Sequence, residues 1–279
     1  MRARCCVRPM SSPGVVCVTP VCTVTCINKE NSVFVKVGSI IAAILAWFGL
    51  SFLFPETILP GPFQTAMVLA DNFANGDVFQ HLFATLWRVM GGLALAMAIG
   101  IPVGVLMGVN RFAEKTLDIW VMVALTVPSL CYAIFAFIWI GLNETAAIVA
   151  IGLTSAPSIA INLWEGVKNI DTRLFKMAKV FNASRWVIIR RVLFPQVLPY
   201  IMASLRFGLG IVWKITVLVE LLGRPDGVGF ELFYWYQLAN MQQVLAWTLL
   251  FTIVMLFIEL VILQNMERKL FSWRPKVKI

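Results

Sequence analysis

The residue best placed to do chemistry in this sequence is a lysine inside a long apolar run. Lys214 is flanked by Trp213 and Ile215. An ammonium group there either attracts a small anion or is neutralised by an acid. Glu220 follows six residues later, about 240° around a helix, so the two cannot easily pair within one helix. Two hypotheses stay open: Lys214 pairs with Glu259 or with Glu220 of a second copy, or Lys214 and Glu220 line a pathway for a small anion.

Catalytic chemistry has no comparable candidate. The sequence contains no GxxxxGK[ST], HExxH or GxSxG motif. His81 is the sole histidine, and five of the six cysteines lie in the first 26 residues without a CxxC pair. We therefore expect no catalytic residue, no metal site and no cofactor. A membrane enzyme is disfavoured, and energy for uphill movement of a solute would come from another protein.

Composition defines the elements that must position Lys214. Hydrophobic residues make up 60% of the chain and charged residues 13%, against about a quarter in soluble proteins. This predicts an all-α integral membrane protein, in which the net charge of +9 marks topology and not nucleic-acid binding. Pro128 and Pro157 predict kinks or breaks within two spans. Six apolar runs are long enough to span: Val37–Phe54, Leu82–Val109, Ile119–Ile140, Ala146–Leu163, Tyr200–Leu222 and Ala246–Leu263.

The distribution of basic residues predicts the orientation. Nineteen of the 23 lysines and arginines lie in the N-terminal segment, the loop after the second span, the loop after the fourth span and the C-terminal tail. Positively charged loops stay in the cytoplasm, so both termini are expected there. Arg88, Arg206 and Glu259 lie near predicted span ends, where long side chains reach the membrane interface.

The loop after the fourth span carries the largest share of these basic residues. Seven basic residues fall between Lys168 and Arg191, and apolar residues recur among them at helical spacing. We call residues 168–199 the basic segment. Its pattern predicts two short amphipathic helices beneath the membrane, forming a surface that another protein contacts.

The basic segment resembles the cytoplasmic EAA signature (EAA-x3-G-x9-I-x-LP) of permease subunits of bacterial ABC importers. Lys176, Met177 and Ala178 stand where EAA would, Asn182 where Gly would, and Pro195 matches the final proline. Asn tolerates the left-handed conformation that Gly permits there. The nitrate/sulfonate/taurine type is the most similar, on these phrases: D-x-R-L (171–174), A-S-R-W (183–186), ILPGPFQ (58–64), GIPVG (100–104) and VELLG (219–223).

The resemblance implies a fold and partners. The fold would be a six-transmembrane-helix bundle of the type I, MetI-like ABC importer permeases, with cytoplasmic coupling helices, in a bacterial plasma (inner) membrane. Partners would be a cytoplasmic ABC ATPase dimer, a periplasmic or extracellular substrate-binding protein, a second permease copy or paralogue, and membrane lipid. The expected ATPase-coupling residues are Asp171, Arg173, Lys176, Met177, Ala178, Asn182, Ala183, Ser184, Arg185 and Pro195.

Further expectations concern packing and organisation. Gly100, Gly104 and Gly108 predict close helix packing, either fixed within one bundle or sliding during transport. The loop after the first span predicts a short helix capping the bundle. We expect a disordered or mis-assigned extension at residues 1–32, the permease domain at 33–273 with its coupling loop at 164–196, and a cytoplasmic tail at 274–279.

Two alternatives remain. The same importer class includes uptake of thiamine precursors, riboflavin and aromatic acids. An ATP-independent secondary transporter or channel would show an internal repeat with paired broken helices, which the sequence lacks.

Overall fold

The structure is a computed structural model that describes residues 29–170, 172–182 and 184–266. The predicted tail and nearly all of the predicted N-terminal extension lie outside these ranges. The chain divides between Ala46 and Trp47 into two units, and the account below concerns the second. The helices are α1 (Lys29–Ser51), α2 (Pro62–Asn75), α3 (Asp77–Val109), α4 (Arg111–Thr126), α5 (Ser129–Ile140), α6 (Glu144–Lys168), α7 (Thr172–Val180), α8 (Arg185–Ile188), α9 (Phe194–Gly223), α10 (Val228–Gln237) and α11 (Met241–Phe257), with π-helical turns at Ile189–Leu193 and Ile258–Leu263.

Helix α6 is the centre of the bundle and has buried residues from Ala146 to Val167. Helix α3 runs beside it, and the predicted glycine stripe forms the contact. A Cβ atom on Gly100, Gly104 or Gly108 would collide with side chains or backbone of α6. The missing side chains therefore let the two helices approach closely, as the glycine spacing predicts.

The two prolines predicted to disturb spans behave differently. Helices α4 and α5 form one apolar pair bent by 89° at a short break. Pro128, which has no N–H to donate, lies at this break as the N-cap of α5. The Tyr132 hydroxyl donates to the carbonyl of Ala124 across the break at 2.9 Å, which satisfies one freed acceptor. Pro157 leaves α6 continuous.

Two apolar clusters show how the helices are layered. The central cluster joins α3, α5, α6 and α9 through residues such as Val89, Ile151 and Val212. A second cluster, with Val78 and Trp247 at its centre, joins α3 to α10 and α11.

The short helix predicted in the loop after the first span is present as α2. A reciprocal amide pair holds it against α11. Asn72 donates to Gln243 at 2.7 Å, and Gln243 donates back at 3.2 Å. Helix α2 therefore packs as a cap on the bundle.

The number of membrane spans stays a prediction. Within the described residues, three helices are long and apolar enough to cross a membrane, or four if the bent α4–α5 pair is one span. Helix α9 is 30 residues long, or about 45 Å, and it carries both Arg206 and Lys214.

Candidate functional site: a buried charge cluster and a basic helix pair

The most elaborate polar site is built around Arg88, whose side chain is fully buried. All five N–H groups of its guanidinium donate hydrogen bonds. Two go to the Glu144 carboxylate at 2.7 and 2.9 Å, one to Glu220 at 2.8 Å, and two to the side chain and carbonyl of Asp226 at 2.6 and 2.8 Å. Arg224 also donates to Glu144 and Asp226. We call these five residues the Arg88 cluster.

The prediction that the Arg88 side chain extends toward the membrane interface is not met, because the side chain is fully buried. Helix α3 begins at Asp77, five residues before the predicted start of the span, so Arg88 lies three turns inside the helix. Its side chain cannot reach the end of the helix, and the three acids neutralise it where it is.

Glu220 is also fully buried. The oxygen that does not face Arg88 accepts from the Thr85 hydroxyl at 3.0 Å and from the backbone N–H of Gly229 at 2.9 Å. The Thr85 hydroxyl in turn accepts from the N–H of Val228 at 2.8 Å. The structure thus places Glu220, predicted from the sequence to line a pathway, inside the bundle with three donors.

The loop from α9 to α10 wraps around this carboxylate. Gly227 has a φ of +109°, a conformation that favours glycine, and a Cβ atom there would overlap the Glu220 carboxylate. Its N–H donates to Nδ1 of His81 at 3.1 Å. The Nε2 atom of His81 lies 3.4 Å from Glu231 on α10. The loop is therefore held by α3 as well as by α9.

Lys214 differs from these groups because its side chain is exposed on α9. Neither acid considered as its partner is free: Glu259 pairs with Arg206 at 2.5 Å, and Glu220 belongs to the Arg88 cluster. Across the part of the chain that the structure describes, Lys214 forms no ion pair. The expected pairing with Glu259 is not formed.

The basic segment folds as predicted into two short helices, α7 and α8. They are joined at Asn182, whose φ of +48° is the predicted left-handed conformation. The Ser184 hydroxyl accepts from the N–H of Val187 at 3.4 Å and caps α8. Pro195 cannot donate to the carbonyl of Arg191, and the chain enters α9 through the π-helical turn.

This helix pair exposes apolar side chains. Val180, Phe181 and Trp186 are 80%, 79% and 69% exposed. Among the predicted coupling residues, Arg173, Met177 and Ser184 are exposed, and Ala178 and Pro195 are partly buried. Asp171, Ala183 and the side chains of Lys176 and Arg185 lie outside the described part of the chain.

Long apolar helices packed around a buried charge cluster, with an exposed basic helix pair at one end, define a polytopic membrane protein that lacks a catalytic constellation within its described residues. The family model "Binding-protein-dependent transport system inner membrane component" matches residues 100–271. The chain belongs to this family.

Relatives and solved structures support the assignment. The chain is 30% identical over 218 residues to the putative aliphatic sulfonates transport permease protein of Bacillus subtilis (strain 168), covering 78% of this chain and 79% of the relative. It is 30% identical over 256 residues to the taurine transport system permease protein of Escherichia coli (strain K12), covering 89% and 93%. In fold it is similar to a chain of the inward-facing MetNI methionine ABC transporter, with a TM-score of 0.61 and 22% identity over 68% of this chain and 94% of that one.

The protein is thus a permease subunit of an ABC importer in the plasma membrane, with the MetI-like all-helical fold. ATP is hydrolysed by a separate chain, and the partners of the family are an ATPase and a substrate-binding protein.

Proposed function

We propose that this permease conducts a small oxyanion, with an organic sulfonate as the leading candidate and Lys214 in the pathway. The observation that carries the proposal is the exposed ammonium group of Lys214 on α9, without an ion pair among the described residues. An unneutralised charge within an apolar helix is costly. A passing anion supplies the missing countercharge.

The relatives support this solute class. Permeases named for aliphatic sulfonates, taurine and nitrate are 30–32% identical to this chain. Sulfonate groups and nitrate share a compact negative charge spread over three oxygens. Thiamine precursors and riboflavin lack that group, and none of these three relatives is named for them or for an aromatic acid.

We further propose that the basic segment and both termini face the cytoplasm, following the distribution of positive charge. A second copy or a paralogue would complete the pathway opposite the exposed face of α9, and lipid would cover the remaining apolar surface. The exposed apolar residues of α7 and α8 would then bind the ATPase.

Lys176 bears on that contact because it stands where the family signature has glutamate. We infer that the matched ATPase carries an acidic residue opposite Lys176. Reversing the charge with Lys176→Glu would then weaken assembly. Unchanged assembly and unchanged ATPase coupling would remove this inference.

The anion role is tested by uptake into vesicles that contain the complete importer. We expect Lys214→Met to reduce uptake of the sulfonate about tenfold or more, because charge-assisted hydrogen bonds contribute about 1.5–3 kcal/mol. Lys214→Arg should retain most of it. Lys115→Met is the matched control, since Lys115 is an exposed lysine on α4. Normal uptake by an assembled Lys214→Met complex would exclude the anion role.

A further inference from the structure

Helix α9 connects the two polar sites of the protein directly. It begins at Phe194, immediately after the π-helical turn that follows α8, and ends at Gly223. Pro195 of the basic segment and Glu220 of the Arg88 cluster lie on this one helix, about 38 Å apart along its axis. A displacement of the basic helix pair is therefore passed along α9 to Glu220, near the other end of the helix.

That far end is tied to two other helices. Arg88 on α3 donates to Glu220 on α9 and to Glu144 on α6. Because all five N–H groups of Arg88 are used, its planar guanidinium is fixed in orientation as well as in position. Its bond to Glu220 is fully buried, so water does not compete for that bond.

The same cluster holds the entry to α10. Asp226 accepts from Arg88 through both its side chain and its backbone carbonyl. The N–H groups of Val228 and Gly229 bind Thr85 and Glu220. Helices α3 and α9 and the start of α10 are thus joined by buried hydrogen bonds at this one end, and α6 is joined to them by partly buried ones.

At their opposite ends, α3, α6 and α9 are joined by apolar contacts around Leu163, Val167 and Val197. The ion pair between Lys168 at the end of α6 and Glu114 on α4 is single, and its side chains are 45% and 28% exposed. Exposed pairs of this kind contribute little to stability. The hydrogen bonds that join α9 to α3 and to the start of α10 are therefore concentrated at the Arg88 cluster.

We propose that Arg88 is a positioning residue for ATP-driven transport. Its hydrogen bonds hold Glu220 on α9 and Asp226 at the start of α10. Movement of the basic segment therefore displaces α9 and α10 together, and α9 does not slide past its neighbours. The proposal rests on the family assignment and is independent of which solute the permease conducts.

The experiment uses the assembled importer in nanodiscs, with the native cysteines replaced by serine. Leu238, which follows α10 and is 56% exposed, is changed to cysteine as a reporter. The measured quantity is its rate of labelling by a membrane-impermeant maleimide, with and without ATP. This readout needs no transported solute, so its result is separate from that of the anion test.

We expect ATP to change the labelling rate at least about fivefold, the lower range of coupling between distant sites. Arg88→Lys and Glu220→Gln should remove most of that change while ATP hydrolysis continues. The matched control, Arg206→Lys, alters an exposed pair on the same helix and should keep it. A purely structural role would lower stability without separating hydrolysis from the response.

A covalent clamp supplies the second arm. The N–H of Val228 lies 2.8 Å from the Thr85 hydroxyl, so these positions are adjacent, and formation of a disulfide between Thr85→Cys and Val228→Cys is verified by mass spectrometry before the assay. We expect this bond to restore the ATP response in Glu220→Gln, and to leave the response intact when Glu220 is present. The proposal is overturned if ATP has no effect on the wild-type reporter, if assembled Arg88→Lys responds normally, or if the disulfide abolishes the response when Glu220 is present. The last test decides even if the Arg88 and Glu220 variants fail to assemble.

Discussion

The Arg88 cluster and the basic segment differ in what their side chains contact. In the cluster, two arginines and three acids pair with one another, and the side chains of Arg88 and Glu220 are fully buried. In the basic segment, the side chains of Phe181 and Trp186 are exposed. The paired charges define the internal geometry of the chain. The exposed aromatic side chains form the surface that we propose binds the ATPase.

Among substitutions in the Arg88 cluster, removing the charge of Arg88 should have the largest effect. Arg88→Met leaves three acids without their shared donor, and we expect a loss of about 3–5 kcal/mol in stability. Thermal unfolding of the purified permease in detergent measures it. Arg206→Met, which breaks an exposed pair, should cost less than about 1 kcal/mol. Equal losses in the two variants would contradict the importance of burial.

A substitution in the loop around Glu220 is a second way to disrupt the Arg88 cluster. Gly227→Ala combines an unfavourable positive φ with overlap on the carboxylate, and we expect destabilisation of about 2–4 kcal/mol. Gly210→Ala is the control, because a Cβ atom there meets nothing within 4 Å. Stability measured in the same detergent should be unchanged or slightly higher for the control. A neutral Gly227→Ala would mean that the loop is not held as described.

Substitutions in the basic segment should weaken binding to the ATPase and leave the stability of the permease unchanged. Trp186→Ala removes an exposed aromatic residue from the basic segment, so the stability of the permease should change by less than about 0.5 kcal/mol. Affinity for the ATPase should fall by about 2 kcal/mol or more, as at interface hot spots. Trp139→Ala matches it, since Trp139 is 79% exposed on α5, and should leave affinity unchanged. Equal affinity for the ATPase in both variants would place the docking surface elsewhere.

The smallest expected effect concerns two residues whose backbone is in the left-handed conformation. Asn182 and Ala239 have φ values of +48° and +54°. Alanine tolerates this conformation less well than asparagine, so Ala239→Gly should stabilise by up to about 1 kcal/mol and Asn182→Gly by less. Paired unfolding measurements test the order, and the reverse order would show that Asn182 is the more strained of the two.

Local rules predicted much of this fold. The break at Pro128, the close packing at Gly104 and the short helix α2 each depend on residues that are near in sequence or evenly spaced. The left-handed turn at Asn182 is implied by the resemblance to the EAA signature, in which a glycine stands at this position. The six-span count and the coupling roles of individual residues stay predictions.

The Arg88 cluster could not be found by the same rules. Glu144 lies 56 residues from Arg88 and Glu220 lies 132, and no local periodicity joins them. The available signal was the low tolerance of membranes for charge, which applied to Arg88 as much as to Lys214. Assigning Arg88 to the membrane interface left its buried partners out of consideration.

These distances along the sequence also affect membrane insertion, because the chain is synthesised from its N-terminus. The ribosome makes Arg88 first, and Glu220 only 132 residues later. Helix α3 must therefore enter the translocon before any acid can neutralise its guanidinium. We expect its insertion to depend on the apolar residues around Arg88, and the final hydrogen bonds to form only once α9 has been released into the bilayer. Truncation of the nascent chain before Glu220 should leave α3 readily extracted from the membrane.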